Sequence, residues 1–142
     1  MTQAAIESAG ADGDRATALP CGVADADAVQ ALFDAVQQRC GWLDLLFNNA
    51  GGGLASESLD LVTPAKWRQI VDVNLNGACY GLLNAFRPMK AQTPMGGRII
   101  NKGSLSAHAP RRGSIGYRAT KHAVTGLTMT FTATKMPFVG RG

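Results

Sequence analysis

A tyrosine and a lysine stand four positions apart in "GYRATK", residues 116–121. In a helix the positions i and i+4 share one face, which puts Tyr117 and Lys121 side by side. A phenol is a poor proton acceptor at neutral pH, but an ammonium beside it favours the ionised form. Such a pair could exchange a proton with a substrate hydroxyl. The same spacing equally fits two residues on the surface of a helix. Ser104 lies thirteen residues before Tyr117, at the end of an apolar run, where its hydroxyl could orient a substrate oxygen or satisfy a turn. Ser106 and Ser114 follow in the next loop. Asn74 stands beside Val71, Leu75 and Ala78 on the side of a helix expected to be buried, so its amide must bond nearby backbone or hold an ordered water. Gly51, Gly52 and Gly53 permit a sharp turn and the close approach of a flat ligand. No Lys-Ser or Lys-Thr follows them, so they are not a GxxxxGK(S/T) phosphate loop.

The elements that must hold these residues can be read from periodicity and turn chemistry. Residues 1–9 look like the last turns of a helix ended by Gly10, and "GADGD" follows as a loop. "RATAL", residues 15–19, reads as a short strand stopped by Pro20. Asp25 can cap a helix whose face is Val29, Leu32, Phe33, Val36 and Cys40, with Gly41 as its stop. "LDLLFNNAGGG" is an apolar strand running into glycines, the pattern of a strand buried on both faces of a parallel sheet. Thr63-Pro64 opens a long helix, expected over residues 64–89, with Trp67, Ile70, Val71, Leu75, Ala78, Leu82 and Phe86 among its apolar positions. Gly96-Gly97 turns the chain into "RIINKGS", and a final helix is expected over residues 117–131. Strands alternating with helices predict parallel βαβ units, hence a three-layer α/β sandwich whose ligands bind beyond the carboxyl ends of the strands.

Composition narrows the function classes. The 142 residues are 46% hydrophobic, enough for an ordinary core, but only 17% charged, which favours a chain with much of its surface covered. Arg111, Arg112, Arg118, Lys121 and His122 form the densest part of a net charge of +4, yet no aromatic stripe or basic repeat accompanies them, which argues against nucleic acid. Cys21, Cys40 and Cys79 suggest neither a disulfide framework nor a zinc knuckle and fit a reducing cytoplasm. No signal peptide or membrane span is recognisable. His108 and His122 lack metal-ligand spacing, so no metal is expected.

Taken together, "NNAG" at 48–51, "VNLNG" at 73–77, "GRIINKGS" at 97–104 and "YRATK" at 117–121 resemble the short-chain dehydrogenase/reductase family. The resemblance runs from about Ala11 to Thr128 and leaves residues 129–142 as a divergent tail. It implies a Rossmann-like sheet and an NAD(P)-dependent oxidoreductase moving a hydride between NAD or NADP and a small-molecule alcohol or carbonyl. Tyr117 then matches the proton-exchanging tyrosine, and Lys121 the lysine that supports it and bonds the nicotinamide ribose. Ser104 matches the serine that positions the substrate oxygen, and Asn74 the asparagine that holds a relay water. Asn48, Asn49, Ala50 and Gly51 match the stretch that stabilises the central strand and lines the adenosine side. Gly22-Val23 stands where the family has Asp-Val against adenine, which makes Val23 a cofactor contact. The resemblance also implies a homo-oligomer through helices 64–89 and 117–131. The family's TGxxxGxG loop, which cradles the pyrophosphate at a helix N-terminus, has no counterpart in this sequence. The expectation is therefore a single partial domain over residues 1–142, lacking both ends of the fold, with the missing first strand lying between the strands at 15–19 and 43–47. The alternative is an inactive paralogue serving as a binding or oligomerisation module.

Overall fold

The computed structural model describes residues 16–53, 58–107 and 112–133. Helix α1 spans Ala26–Cys40. The Asp25 carboxylate caps it by accepting from the amides of Asp27 at 2.9 Å and Ala28 at 3.1 Å. Gly41 closes it at φ 66°, a left-handed conformation open to glycine at little cost, and its amide reaches back to the Gln37 carbonyl. The helix expected over 64–89 is built in three pieces: α2, Pro64–Val71; a π-helical segment, Asp72–Asn76; and α3, Gly77–Ala91. The Thr63 hydroxyl accepts from the Lys66 amide at 3.3 Å, and Pro64 occupies the first helical position. The last helix, α4, covers Ile115–Ala133 and so begins two residues earlier than Tyr117.

Strands β1, Leu45–Asn48, and β2, Arg98–Asn101, pair in parallel with Leu45 opposite Arg98 and Asn48 opposite Asn101. The Gln92 side chain accepts from the Leu43 amide at 3.2 Å and donates to the Leu43 carbonyl at 3.1 Å, standing in for a strand neighbour just before β1. Helix α3 packs across the sheet, α1 packs along α3, and α4 packs against α2 and the π segment. The edge-to-face pair Phe86 and Phe131, 5.5 Å between centroids, joins α3 to α4.

Two expectations are corrected here. Residues 16–19, expected with Arg15 as a strand, form none. A strand exists through pairing, β1 and β2 pair only with each other among the described residues, and alanines at 16 and 18 do little to favour extended chain. The apolar run at β1 is not buried on both faces: Leu45 is 51% exposed and Phe47 54%, with Ile100 of β2 at 42% beside them. A strand buried on both faces needs a helix layer on each, and among the described residues the packing onto the sheet comes mainly from α3, with α4 reaching β2 through Thr128. The parallel sheet and helices of the expected α/β fold are thus present as two layers of the three. The helix and loop expected over residues 1–14, Arg15, His108, Arg111 and the tail beyond residue 133 lie outside the described residues.

The apolar core is Val29, Ile70, Ala85, Met89, Ala107 and Val124, and three polar side chains, Asn74, Thr120 and Lys121, are buried with it. On α3 the Asn84 amide bonds back to the Tyr80 carbonyl at 3.0 Å, which leaves its buried Oδ1 without a hydrogen-bond partner. Asn84→Ala is therefore expected to raise stability by about 1 kcal/mol, because it removes an unsatisfied acceptor and favours the helix. Urea denaturation of the two proteins measures the difference. No helix among the described residues is long and apolar enough to cross a membrane.

Candidate active site

The site is assembled where α4 meets the carboxyl ends of the strands. Gly116 brings α4 close to α2, since a Cβ there would stand 2.6 Å from Ile70 Cγ2, inside carbon contact distance. One residue on, Tyr117 is half-buried, and Lys121 is only 4% exposed. The Lys121 ammonium stands 5.7 Å from the centroid of the Tyr117 ring. It donates to the Lys102 carbonyl at 2.8 Å, an acceptor that a buried ammonium requires. That carbonyl is itself held in place, because the Lys102 amide donates to the Asn48 carbonyl at 3.0 Å across the strand ends. The expected i, i+4 pair is therefore formed.

Asn74 reaches this pair through the π segment, whose widened turn interrupts α-helical register in mid-helix. Its side chain is 1% exposed. Oδ1 accepts from the Gly52 amide at 3.0 Å, while Nδ2 donates to the Gly52 carbonyl at 2.9 Å and to Thr120 Oγ1 at 3.2 Å. The Gly52 backbone thus takes both the oxygen and the nitrogen of this amide. Thr120 was not singled out in the sequence. It is 1% exposed and donates to the Tyr117 carbonyl at 2.9 Å, so it ties Asn74 to the turn of α4 between Tyr117 and Lys121. Its position three residues after Tyr117 was the available signal.

The glycines close the other side. Gly51 lies at φ 145°, and a Cβ there would stand 2.9 Å from Asn74 Oδ1 and 3.8 Å from Lys121 Nζ. A Cβ on Gly53 would touch the Tyr117 ring at 3.9 Å. Asn49 and Ala50, between β1 and these glycines, are exposed. Val23 lies against the start of α3, its carbonyl 2.9 Å from where a Cβ of Gly77 would be, three residues beyond Asn74. Ser104 is half-buried two residues after Lys102, and its carbonyl accepts from Ala107 at 3.0 Å to form the tight turn Leu105–Ala107. Ser106 lies in that turn, and its side chain falls outside the described residues.

The basic cluster seen in the sequence is divided by the helix. Lys121 turns inward, whereas Arg112, Arg118 and His122 line a cavity of about 830 Å³ on the neighbouring face of α4 with Ser58, Leu59 and Ile115. The His122 ring donates from Nδ1 to the Ala107 carbonyl at 2.8 Å, fastening the turn after Ser104 to α4. Near that cavity's mouth the Ser58 hydroxyl donates to the Asp60 carboxylate, and with a backbone hydrogen bond this holds the exposed carboxyl below its usual range. No group of side chains suited to a metal ion occurs among the described residues, and Cys21, Cys40 and Cys79 are free thiols.

A family model described as short chain dehydrogenase matches residues 1–136. The chain belongs to the short-chain dehydrogenase family. Among curated relatives it is similar to a 3beta-hydroxysteroid dehydrogenase of Mediterraneibacter gnavus, 38% identical over 125 residues, covering 88% of this chain and 43% of that protein. It is also similar to a 3-oxoacyl-(acyl-carrier-protein) reductase of Staphylococcus aureus, 35% identical over 127 residues, covering 89% of this chain and 50% of that one. Among solved structures it resembles a metagenomic short-chain oxidoreductase in complex with NADP, with a TM-score of 0.81 and 30% identity over 93% of this chain and 57% of the other. The chain thus spans about half the length of the curated relatives it matches.

Within this short-chain dehydrogenase fold, the described side chains suit one end of a dinucleotide. Gly51 gives up the space of a Cβ to Asn74 Oδ1, which would stand 2.9 Å from it, whereas a Cβ on Gly52 would meet nothing within 4 Å, so a flat ring can approach the backbone at Gly52. The buried Lys121 ammonium supplies hydrogen-bond donors beside it. The pyrophosphate end is a different matter, since the sequence contains no TGxxxGxG loop.

Proposed function

We propose that this chain carries the proton-transfer centre of an NAD(P)-dependent oxidoreductase acting on a small-molecule alcohol or carbonyl. The observation that carries the reading is the buried Lys121 ammonium, hung from the Lys102 carbonyl and set against the Tyr117 ring beneath the glycines. Asn74, Ser104, Tyr117 and Lys121 are its working residues, with Val23, Asn49, Ala50 and Gly51 toward the cofactor. A nicotinamide cofactor, when bound, supplies or accepts the hydride.

The chain's own residues do the rest. In the direction of alcohol oxidation, Tyr117 Oη takes the proton of the substrate hydroxyl, and in reduction it returns one. Lys121 places its positive charge 5.7 Å from the Tyr117 ring centroid and would bond the cofactor's ribose. Ser104 Oγ orients the substrate oxygen. Asn74 keeps the Gly52 peptide at a fixed height, which keeps the glycine floor in place. The NADP complex of the metagenomic relative supports a cofactor of this class.

The reading includes a cytoplasmic homo-oligomer without nucleic-acid or membrane partners. The homo-oligomer is supported by an apolar groove of about 550 Å³ between α3 and α4, lined by Leu75, Leu82, Phe86, Leu127 and Phe131, on the two helices expected to build an interface. Titration with NADPH and with NADH, followed by cofactor fluorescence, tests the central claim. Saturable binding of one of them in the micromolar to millimolar range is expected. No binding at millimolar cofactor would overturn present-day dehydrogenase activity and leave the oligomerisation module.

A further inference from the structure

We propose that Asn101 is a positioning residue for Lys121, acting through a run of side-chain hydrogen bonds that crosses both strand ends and stops on α4. The proposal rests on the reading of Lys121 as the lysine of the proton-transfer centre. Asn48 and Asn101 are the facing last residues of β1 and β2. Asn48 Nδ2 donates to the Ala78 carbonyl of α3 at 3.1 Å and to Asn101 Oδ1 at 2.8 Å. Asn101 Nδ2 donates in turn to Thr128 Oγ1 at 3.0 Å, and the Thr128 hydroxyl donates to the Val124 carbonyl at 2.8 Å. Asn48 thus gives its amide protons to α3 and β2, Asn101 accepts from β1 and donates to α4, and α3, the sheet and α4 are tied at one level.

The consequence for Lys121 follows from adjacency. The residue after Asn101 is Lys102, whose carbonyl holds the ammonium. Thr128 is seven residues, two helical turns, beyond Lys121 on the same face of α4. Asn101 therefore sets the distance between the helix that carries the lysine and the strand end that receives it. Without it α4 loses its side-chain link to β2 through Thr128, and only the Lys121–Lys102 bond and the Lys102 amide bond to the Asn48 carbonyl remain to hold the ammonium at the strand end.

Acylation of lysines by an amine-reactive acetate ester, quantified peptide by peptide in the full chain, reads this directly and needs neither cofactor nor turnover. Lys121 is buried, so it is expected to label slowly in the parent. Asn101→Leu and Thr128→Val should each speed Lys121 labelling about tenfold through easier local opening, with Lys66 and Lys90 unchanged. Thr128→Ser, which keeps the hydroxyl, should label at the parent rate. Unchanged Lys121 labelling in Asn101→Leu and Thr128→Val overturns the proposal, as does a rise no larger than their loss of global stability in urea accounts for, the mark of general destabilisation. Fast labelling in Thr128→Ser overturns it as well. The parent reading is judged apart, by NADPH affinity in Lys121→Met: an affinity equal to the parent's removes Lys121 from the cofactor site, while the labelling series still decides what Asn101 does.

Discussion

Tyr117→Phe is expected to lower kcat by about 10²- to 10⁴-fold while leaving NADPH affinity close to that of the parent. The substitution removes one oxygen and little else. The ring keeps its packing against Gly53, and the Lys121 ammonium keeps its hydrogen bond to the Lys102 carbonyl, 5.7 Å from the ring centroid. Fold and cofactor floor therefore survive, and the proton acceptor alone is lost. Steady-state oxidation of a panel of simple alcohols, read as nicotinamide absorbance, makes the measurement. Lys121→Met should lose both turnover and affinity, because it removes the positive charge beside the Tyr117 ring and a hydrogen-bond donor toward the cofactor together. The contrast between the two variants is informative. Retained turnover in Tyr117→Phe would move the acid-base role to another group, whatever the fate of Lys121→Met.

Gly51→Ala is expected to cost about 2–4 kcal/mol of stability and to abolish cofactor binding, from two independent causes. The first is backbone conformation: φ 145° is a region that residues with a Cβ rarely adopt. The second is space, since the new Cβ would stand 2.9 Å from Asn74 Oδ1. Asn74 cannot retreat without releasing the Gly52 amide and carbonyl it holds at 3.0 and 2.9 Å, and it draws Thr120 with it. Gly52→Ala is the internal control. Its φ is not positive and a Cβ there would meet nothing within 4 Å, so it should change stability little. Urea denaturation of the three proteins tests the ordering, and equal midpoints for Gly51→Ala and the parent would refute it.

The polar groups of the proposed proton-transfer centre form part of the core. Asn74, Thr120 and Lys121 are as buried as Val29 or Ile70. Burial of this kind is tolerated because each group is paired: the amide with the Gly52 peptide, the hydroxyl with the Tyr117 carbonyl, and the ammonium with the Lys102 carbonyl. The same pairing makes the site sensitive to distant changes, as Asn101 and Thr128 illustrate.

What the amino-acid order determined by itself was local. Asp25 and Gly41 bound α1, Thr63-Pro64 begins α2, and the apolar runs at 45–48 and 98–101 become β1 and β2. These signals act within a few residues, through capping bonds, proline geometry and side-chain periodicity, so they can be read without a partner. The pairing of Tyr117 with Lys121 is of the same kind, because the pitch of one helix decides it. The tertiary structure decided whatever needed a neighbour far along the chain. Residues 16–19 have the length of a strand and no strand beside them. Alternate residues of β1 stay open because the described packing onto the sheet comes mainly from α3. Asn74 meets Gly52 through a π turn that no periodicity announces, and Lys121 is separated from Arg118 and His122 only once α4 has a buried side. Thr120 carried only its spacing from Tyr117 as a signal, and Asn101 and Thr128 carried none of their own in one sequence. Their importance comes from hydrogen bonds spanning 46, 53 and 27 residues, which exist only after the helices have closed on the sheet.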